Sequence, residues 1–153
     1  MSAGNATPIR LLVVDDHFFV RLGLANSLNA EPDLRVVAEA DHGEQAIRLF
    51  REHQPDVVLL DGQLPGLSGF ETLMALRREF PRARVLMFSV DAAEQEVCGA
   101  LRAGAAGYLP KSAELQAILQ AIRAIHAGKR NSAPTSAPVS PSVRVVTNPR
   151  TNQ

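Results

Sequence analysis

The sequence predicts an α/β fold: a doubly wound, five-stranded parallel sheet in the order 2-1-3-4-5, sandwiched between helices as a three-layer domain. Three observations carry that expectation. Short apolar runs alternate five times with stretches of helical period, the pattern of strands joined by helical crossovers. The runs are apolar at successive positions, as in Val57-Val58-Leu59-Leu60, which suits strands buried on both faces. Polar groups stand directly after the runs: Asp15-Asp16 after the first, Asp61 after the third, Ser89 after the fourth and Lys111 after the fifth. In open parallel sheets the carboxyl ends of the strands are where ligands bind.

Each element has its own signal. Ile9 to Val14 is an apolar strand broken only by Arg10. From Phe18 to Leu28, Val20, Leu24 and Leu28 recur every four positions as a helix face, and Glu31-Pro32-Asp33 closes that helix. Leu34 to Ala38 reads as the second strand. Gly43 to His53 reads as the second helix, with Ala46, Ile47 and Phe50 on one side and Gln54-Pro55 as its stop. After the third strand, Gly62, Pro65, Gly66 and Gly69 punctuate a loop. Ser68 and Glu71, three apart, form a capping box for a helix from Gly69 to Glu79 that turns Phe70, Leu73 and Leu76 inward. Arg84 to Phe88 is the fourth strand, and Asp91 with Glu94 repeats the capping pattern for a helix to Arg102. Gly104 and Gly107 bracket a fifth strand ending at Tyr108-Leu109-Pro110-Lys111. Ser112 is expected to cap the last helix, whose Leu115, Ile118, Leu119, Ile122 and Ile125 keep a 3.6-residue period to Ala127. Met74 and Met87 are expected in the core, and His42, His53 and His126 in solvent.

These signals divide the 153 residues into a lead (1–8), a globular domain (9–128) and a Ser/Pro-rich linker or disordered tail (129–153). Within that tail Val143-Arg144-Val145-Val146 has strand character. The chain is neutral overall, but residues 1–128 hold 12 Lys or Arg against 16 Asp or Glu. An acidic domain offers no phosphate-tracking surface, which argues against direct nucleic-acid binding. Cys98 is the one cysteine, so an internal disulfide and a multi-cysteine metal site are excluded. With no signal-like or membrane-length apolar run, a soluble cytoplasmic protein without membrane contact is expected.

Bringing the strand ends to one rim assembles Asp15, Asp16, Asp61, Ser89 and Lys111. Clustered carboxylates repel one another unless a cation is present, and oxygen ligands that leave room for water suit Mg²⁺. His17, beside two of the acids, is a poorer Mg²⁺ ligand because that ion prefers oxygen. A carboxylate, an ammonium and a hydroxyl together suit phosphoryl transfer with one carboxylate as acceptor. A flavin site is disfavoured because Asp15-Asp16 would repel the phosphate. An aspartyl-phosphate phosphatase is disfavoured because Gln63 stands two residues beyond Asp61, where a second acid would be needed.

With Asp15-Asp16, Asp61, Leu64-Pro65, Gly69, Ser89 and Tyr108 three residues before Lys111, the sequence resembles the receiver domain of two-component response regulators, a flavodoxin/CheY-like fold. The spacings agree, with Ser89 28 residues after Asp61 and Lys111 22 after Ser89. Pro65-Gly66-Leu67-Ser68-Gly69, Phe88-Ser89-Val90, Gly107-Tyr108-Leu109 and Ala127-Gly128-Lys129 resemble the NarL/FixJ subfamily.

The resemblance implies that Asp61 accepts a phosphoryl group from a sensor histidine kinase. Asp16, Asp61 and the main-chain carbonyl of Gln63 would hold Mg²⁺, with Asp15 acting partly through water. Lys111 and Ser89 would meet the phosphoryl oxygens, and Tyr108 would turn inward as Ser89 moves. The protein would then be a switch rather than an enzyme. It would dimerise on phosphorylation and contact DNA only through a C-terminal helix-turn-helix domain absent from these residues. The rival expectation is a stand-alone or degenerate receiver that acts only as a protein-interaction module. The sequence departs from the family at Gly62, where a branched apolar residue is common, at Leu64, where Met is frequent, and at Pro110-Lys111-Ser112, where many receivers have Lys-Pro.

Overall fold

A computed structural model describes residues 7–90 and 93–128 and the backbone of 146–147. Its elements run β1 (Ile9–Val14), α1 (Phe18–Asn29), β2 (Leu34–Ala40), α2 (Gly43–His53), β3 (Val57–Asp61), α3 (Gly69–Glu79), β4 (Val85–Ser89), α4 (Glu94–Arg102), β5 (Gly107–Pro110), α5 (Leu115–Ala127) and β6 (Val146–Thr147). The first five strands are parallel in the predicted order, 2-1-3-4-5. The sixth was not expected as a member of this sheet. It adds antiparallel to the outer edge of β5, with Gly107 opposite Thr147 and Tyr108 opposite Val146. Apart from Val146–Thr147, the expected linker or tail, residues 129–145 and 148–153, lies outside the described residues, Val143, Arg144 and Val145 included.

Strand alternation splits the core into two layers. Leu12, Val14, Val58, Leu60, Val85, Met87 and Tyr108 join Ala46, Phe50, Leu73, Leu76, Val97 and Ala100 of α2, α3 and α4. Leu11, Val13, Val57, Leu59, Leu86, Phe88 and Leu109 face the other way, onto Leu28 of α1 and Leu119, Ile122 and Ile125 of α5. Each buried aliphatic side chain contributes roughly 1.5–3 kcal/mol by leaving water, so the two layers together hold the sheet rigid beneath its rim.

Local differences from the expected elements have physical causes. On α3 the buried positions are Gly69, Thr72, Leu73 and Leu76, a stripe at spacings of three and four. Phe70 and Met74 fall one residue outside that stripe and are 42% and 40% exposed, against the expectation that both face the core. On α1 Val20 is likewise exposed, with Ala25 and Leu28 making the buried contact. The capping box of α3 is present in both directions, Glu71 N–H to Ser68 Oγ at 3.1 Å and Ser68 N–H to Glu71 Oε1 at 3.0 Å. The expected Ser112 cap of α5 is not found: Glu114 is the N-cap, without a side-chain bond, and Ser112 lies within a turn closed by Ala113 N–H on Pro110 O. The N-cap of α4 is Ala93, also without a side-chain bond, and Asp91 lies outside the described residues.

Candidate functional site

Strand alternation selects the side chains that meet at the carboxyl rim. Asp15, Asp61 and Lys111 stand two residues beyond Val13, Leu59 and Leu109, all on the layer facing α1 and α5. Lys111 extends the β5 ladder past Pro110, its N–H bonding Ser89 O at 2.8 Å. The three charges converge: Lys111 Nζ lies 3.0 Å from Asp61 Oδ2 and 3.1 Å from Asp15 Oδ2. Both carboxylates are fully buried, and the Phe88 ring lies against the ammonium at 5.3 Å. Asp16 is beside them with 30% of its side chain exposed. One ligand atom each from Asp15, Asp16, His17 and Asp61 falls within 4.8 Å of the others.

The hydrogen bonds fix the carboxylates by one oxygen and leave the other turned to the ammonium. Asp61 Oδ1 accepts the Gln63 N–H at 2.9 Å, and Asp15 Oδ1 accepts the His17 N–H at 2.8 Å. Burial pushes the Asp61 carboxyl above its ordinary range. The Gln63 N–H and Lys111 oppose that rise, and the charge of Asp15 adds to it. For Lys111, burial disfavours the ammonium, but the bonds and charges of Asp61 and Asp15 outweigh it and hold its pKa above the usual lysine value. Two acids against one buried cation leave an excess of negative charge. Asp15 Oδ2 is buried and meets only the Lys111 ammonium, at 3.1 Å. A buried carboxylate oxygen with that single partner, beside two further acids, one open to water, belongs to a donor set that fits a hard divalent cation. The His17 ring, 3.2 Å from both Asp15 and Asp16, partners those acids rather than extending the oxygen set.

Ser89 is buried at the end of β4, and its neighbour Phe88 accepts the Gly62 N–H at 2.8 Å. A Cβ at Gly62 would come within 3.2 Å of Ser89 Cβ and 3.4 Å of its Oγ, so the missing side chain lets the serine lie directly against the residue after Asp61. Tyr108 is 3% exposed, its ring in the layer of α2, α3 and α4. The ring expected to turn inward is thus already inward, on a strand two positions from β3 and Asp61 rather than among the acids.

Two contributors were not legible as site residues. Arg21, one helical turn beyond the acids, donates from Nη1 to the Asp15 carbonyl at 2.6 Å and pairs with Glu39, tying the β1 end to α1 and β2. Gly69, read in the sequence as loop punctuation, helix start and part of the family motif but given no role at the site, packs against the Asp61 peptide so closely that a Cβ would overlap the Asp61 carbonyl and lie 2.6 Å from Gly62 Cα. Its signal was the glycine itself; Arg21 gave none.

Comparison with known proteins agrees with this geometry. Residues 11–123 match the family model of the response regulator receiver domain. The response regulator GacA of Pseudomonas viridiflava is 43% identical over 126 residues, 82% of this chain and 59% of that protein. The nitrate/nitrite response regulator NarL of Escherichia coli is 41% identical over 125 residues, 82% of this chain and 58% of that protein. The chain thus spans under two thirds of the length of these relatives. A crystal structure of a LuxR-family two-component response regulator from an Aurantimonas species superposes with a TM-score of 0.77 at 39% identity, over 80% of this chain and 87% of that one. Among the described residues no helix is long and apolar enough to cross a membrane. A buried acid rim on a 2-1-3-4-5 sheet, a family match across most of the chain and relatives above 40% identity converge: the chain belongs to the receiver domains of two-component response regulators.

Proposed function

We propose that the chain is a phosphorylation-activated receiver in which Asp61 is the acceptor and a sensor histidine kinase the donor. The observation that carries the reading is the fully buried Asp61 carboxylate held 3.0 Å from Lys111 at the end of the central strand. Burial makes the ionised Asp61 more basic and so a better nucleophile. Its oxygen forms the bond to phosphorus as the P–N bond to the kinase imidazole breaks, and that electron pair returns to the imidazole nitrogen. Lys111 balances the phosphoryl oxygens, and Ser89 offers them a hydroxyl donor. Asp16, Asp61 and the Gln63 carbonyl would hold Mg²⁺, with Asp15 partly through water. When bound, the ion supplies the positive charge that lets a phosphoryl group approach three acids.

Switching would run through the end of β4. Ser89 lies against Gly62 and Tyr108 stands on the adjacent strand, so a hydroxyl drawn towards the phosphoryl group would shift the β4 end next to the strand that carries the ring. Dimerisation on phosphorylation, and transcription control through a helix-turn-helix domain outside these 153 residues, complete the reading. Intact-mass spectrometry after incubation with acetyl phosphate and Mg²⁺ tests it. One added phosphoryl group is expected on the wild-type chain and none on Asp61→Asn; equal labelling of the two would overturn the assignment.

A further inference from the structure

The two lateral edges of the sheet are protected differently. On β2 the edge carries exposed Arg35 and Glu39, and its ladder with β1 slips register between Leu11 and Leu12. Charge and irregularity both discourage a further strand from adding. The β5 edge has neither, since Gly107-Tyr108-Leu109 is uncharged and only Pro110, which lacks an N–H, closes it. The Ala106 N–H is turned towards Val85 O of β4 at 2.8 Å. Alternation therefore turns the Tyr108 N–H towards β4 as well and the Gly107 N–H and C=O outward. Val146–Thr147 lies there, with Thr147 opposite Gly107.

We propose that the outer edge of β5 is a strand-addition site for an extended segment, that its resident is the chain's own Val146–Thr147 acting in cis, and that this resident excludes any other strand from the edge beside Tyr108. Three features support a cis resident that can be displaced. Seventeen residues of sequence separate Gly128 from Val146, a separation that keeps a joined segment at an effective concentration on the order of millimolar. The ladder is two residues long, so it sits at the low end of local stability. Pro110 caps the number of rungs available to any occupant, which makes occupancy a competition between segments rather than a permanent sixth strand. A link from this edge to Asp61 rests on the switching role proposed for Tyr108; the cis pairing does not.

Amide exchange measured by NMR on the full 153-residue chain tests the proposal, with Thr147→Pro as the variant because it removes the donor facing Gly107. The Gly107 amide is expected to exchange about fivefold faster or more in the variant, while the Tyr108 amide, bonded towards β4, stays within about twofold. A synthetic peptide of residues 143–150 is expected to shift the Gly107 resonance in the variant at concentrations about threefold lower than in the wild type, where the cis segment competes. Wild-type protection of Gly107 is expected to be the same across about a hundredfold range of protein concentration, and the same in Asp61→Asn, whatever the outcome of phosphorylation assays. An unchanged Gly107 rate in Thr147→Pro, equal peptide affinities, or protection that rises with concentration and so reports pairing between copies would each overturn it.

Discussion

The two ends of the sheet use the same chemical groups for opposite purposes. At the carboxyl end Asp15 and Asp61 are fully buried around Lys111. At the amino end Arg123 of α5 clamps Asp33 at 2.8 Å by two nitrogens and reaches Glu31 at 3.0 Å, all of them substantially exposed. Asp33 is held below its ordinary pKa chiefly by its bond to Arg123, whereas Asp61 is pushed up chiefly by burial, although Lys111 is 3.0 Å from it. Each cluster sets two acids against one cation. Solvent screens the surplus of the outer one, and burial leaves that of the inner one unscreened.

If burial is what separates the two clusters, substitutions should differ in sign as well as size. Lys111→Met removes the one cation from two buried carboxylates and is expected to lower stability in metal-free buffer by about 3 kcal/mol, read from urea midpoints, with Mg²⁺ restoring part of the loss. Asp61→Asn relieves the surplus and is expected to raise stability by about 1 kcal/mol in the same buffer. A loss on Asp61→Asn would mean that Lys111 fully compensates the pair and would remove the contrast. At the amino end Arg123→Met and Asp33→Asn should both destabilise, by about 0.5 kcal/mol each, and both effects should shrink in high salt.

The pH dependence is the smallest effect and the sharpest in sign. A carboxyl whose pKa is lowered on folding stabilises the fold above its ordinary value, and the gain is lost as pH falls through the folded pKa. Asp33 therefore contributes at neutral pH, and that contribution declines progressively as pH falls below about 3.8 and through its lower folded pKa. A raised carboxyl behaves in reverse. The penalty at Asp61 is full above its folded pKa and fades as pH falls through it towards 3.8. Denaturant midpoints from pH 7 to about pH 4 should accordingly converge between wild type and Asp61→Asn. Parallel curves would contradict a raised Asp61.

The sheet was legible in the sequence because its determinants are local. Val57 to Leu60 must be buried on both faces, and Asp61 must follow them to the rim. Placing the strand ends at one rim is what gathers Asp15, Asp61 and Lys111 from sequence; that they also share a side follows from the strand alternation seen in the structure. Helix starts were less legible, since a Ser or Asp at the right offset competes with turns: Ser68 caps α3, but Ser112 does not cap α5. Phe70 and Met74 differ from the expectation because each lies one 100° step past a buried position, Gly69 and Leu73 respectively. Arg21 and β6 depend on contacts with distant segments, Glu39 in one case and Gly107 in the other, and no local pattern announces such partners.

Gly62 carries no chemistry, yet it governs the approach of a hydroxyl to an acid. With only a hydrogen facing Ser89, the two segments lie in close approach. A methyl at that place would act as a wedge between the β3 and β4 ends, moving the serine before any ligand arrived. The reach of the rim is thus set by an atom that is not there, and the simplest way to retune this receiver is to put one in.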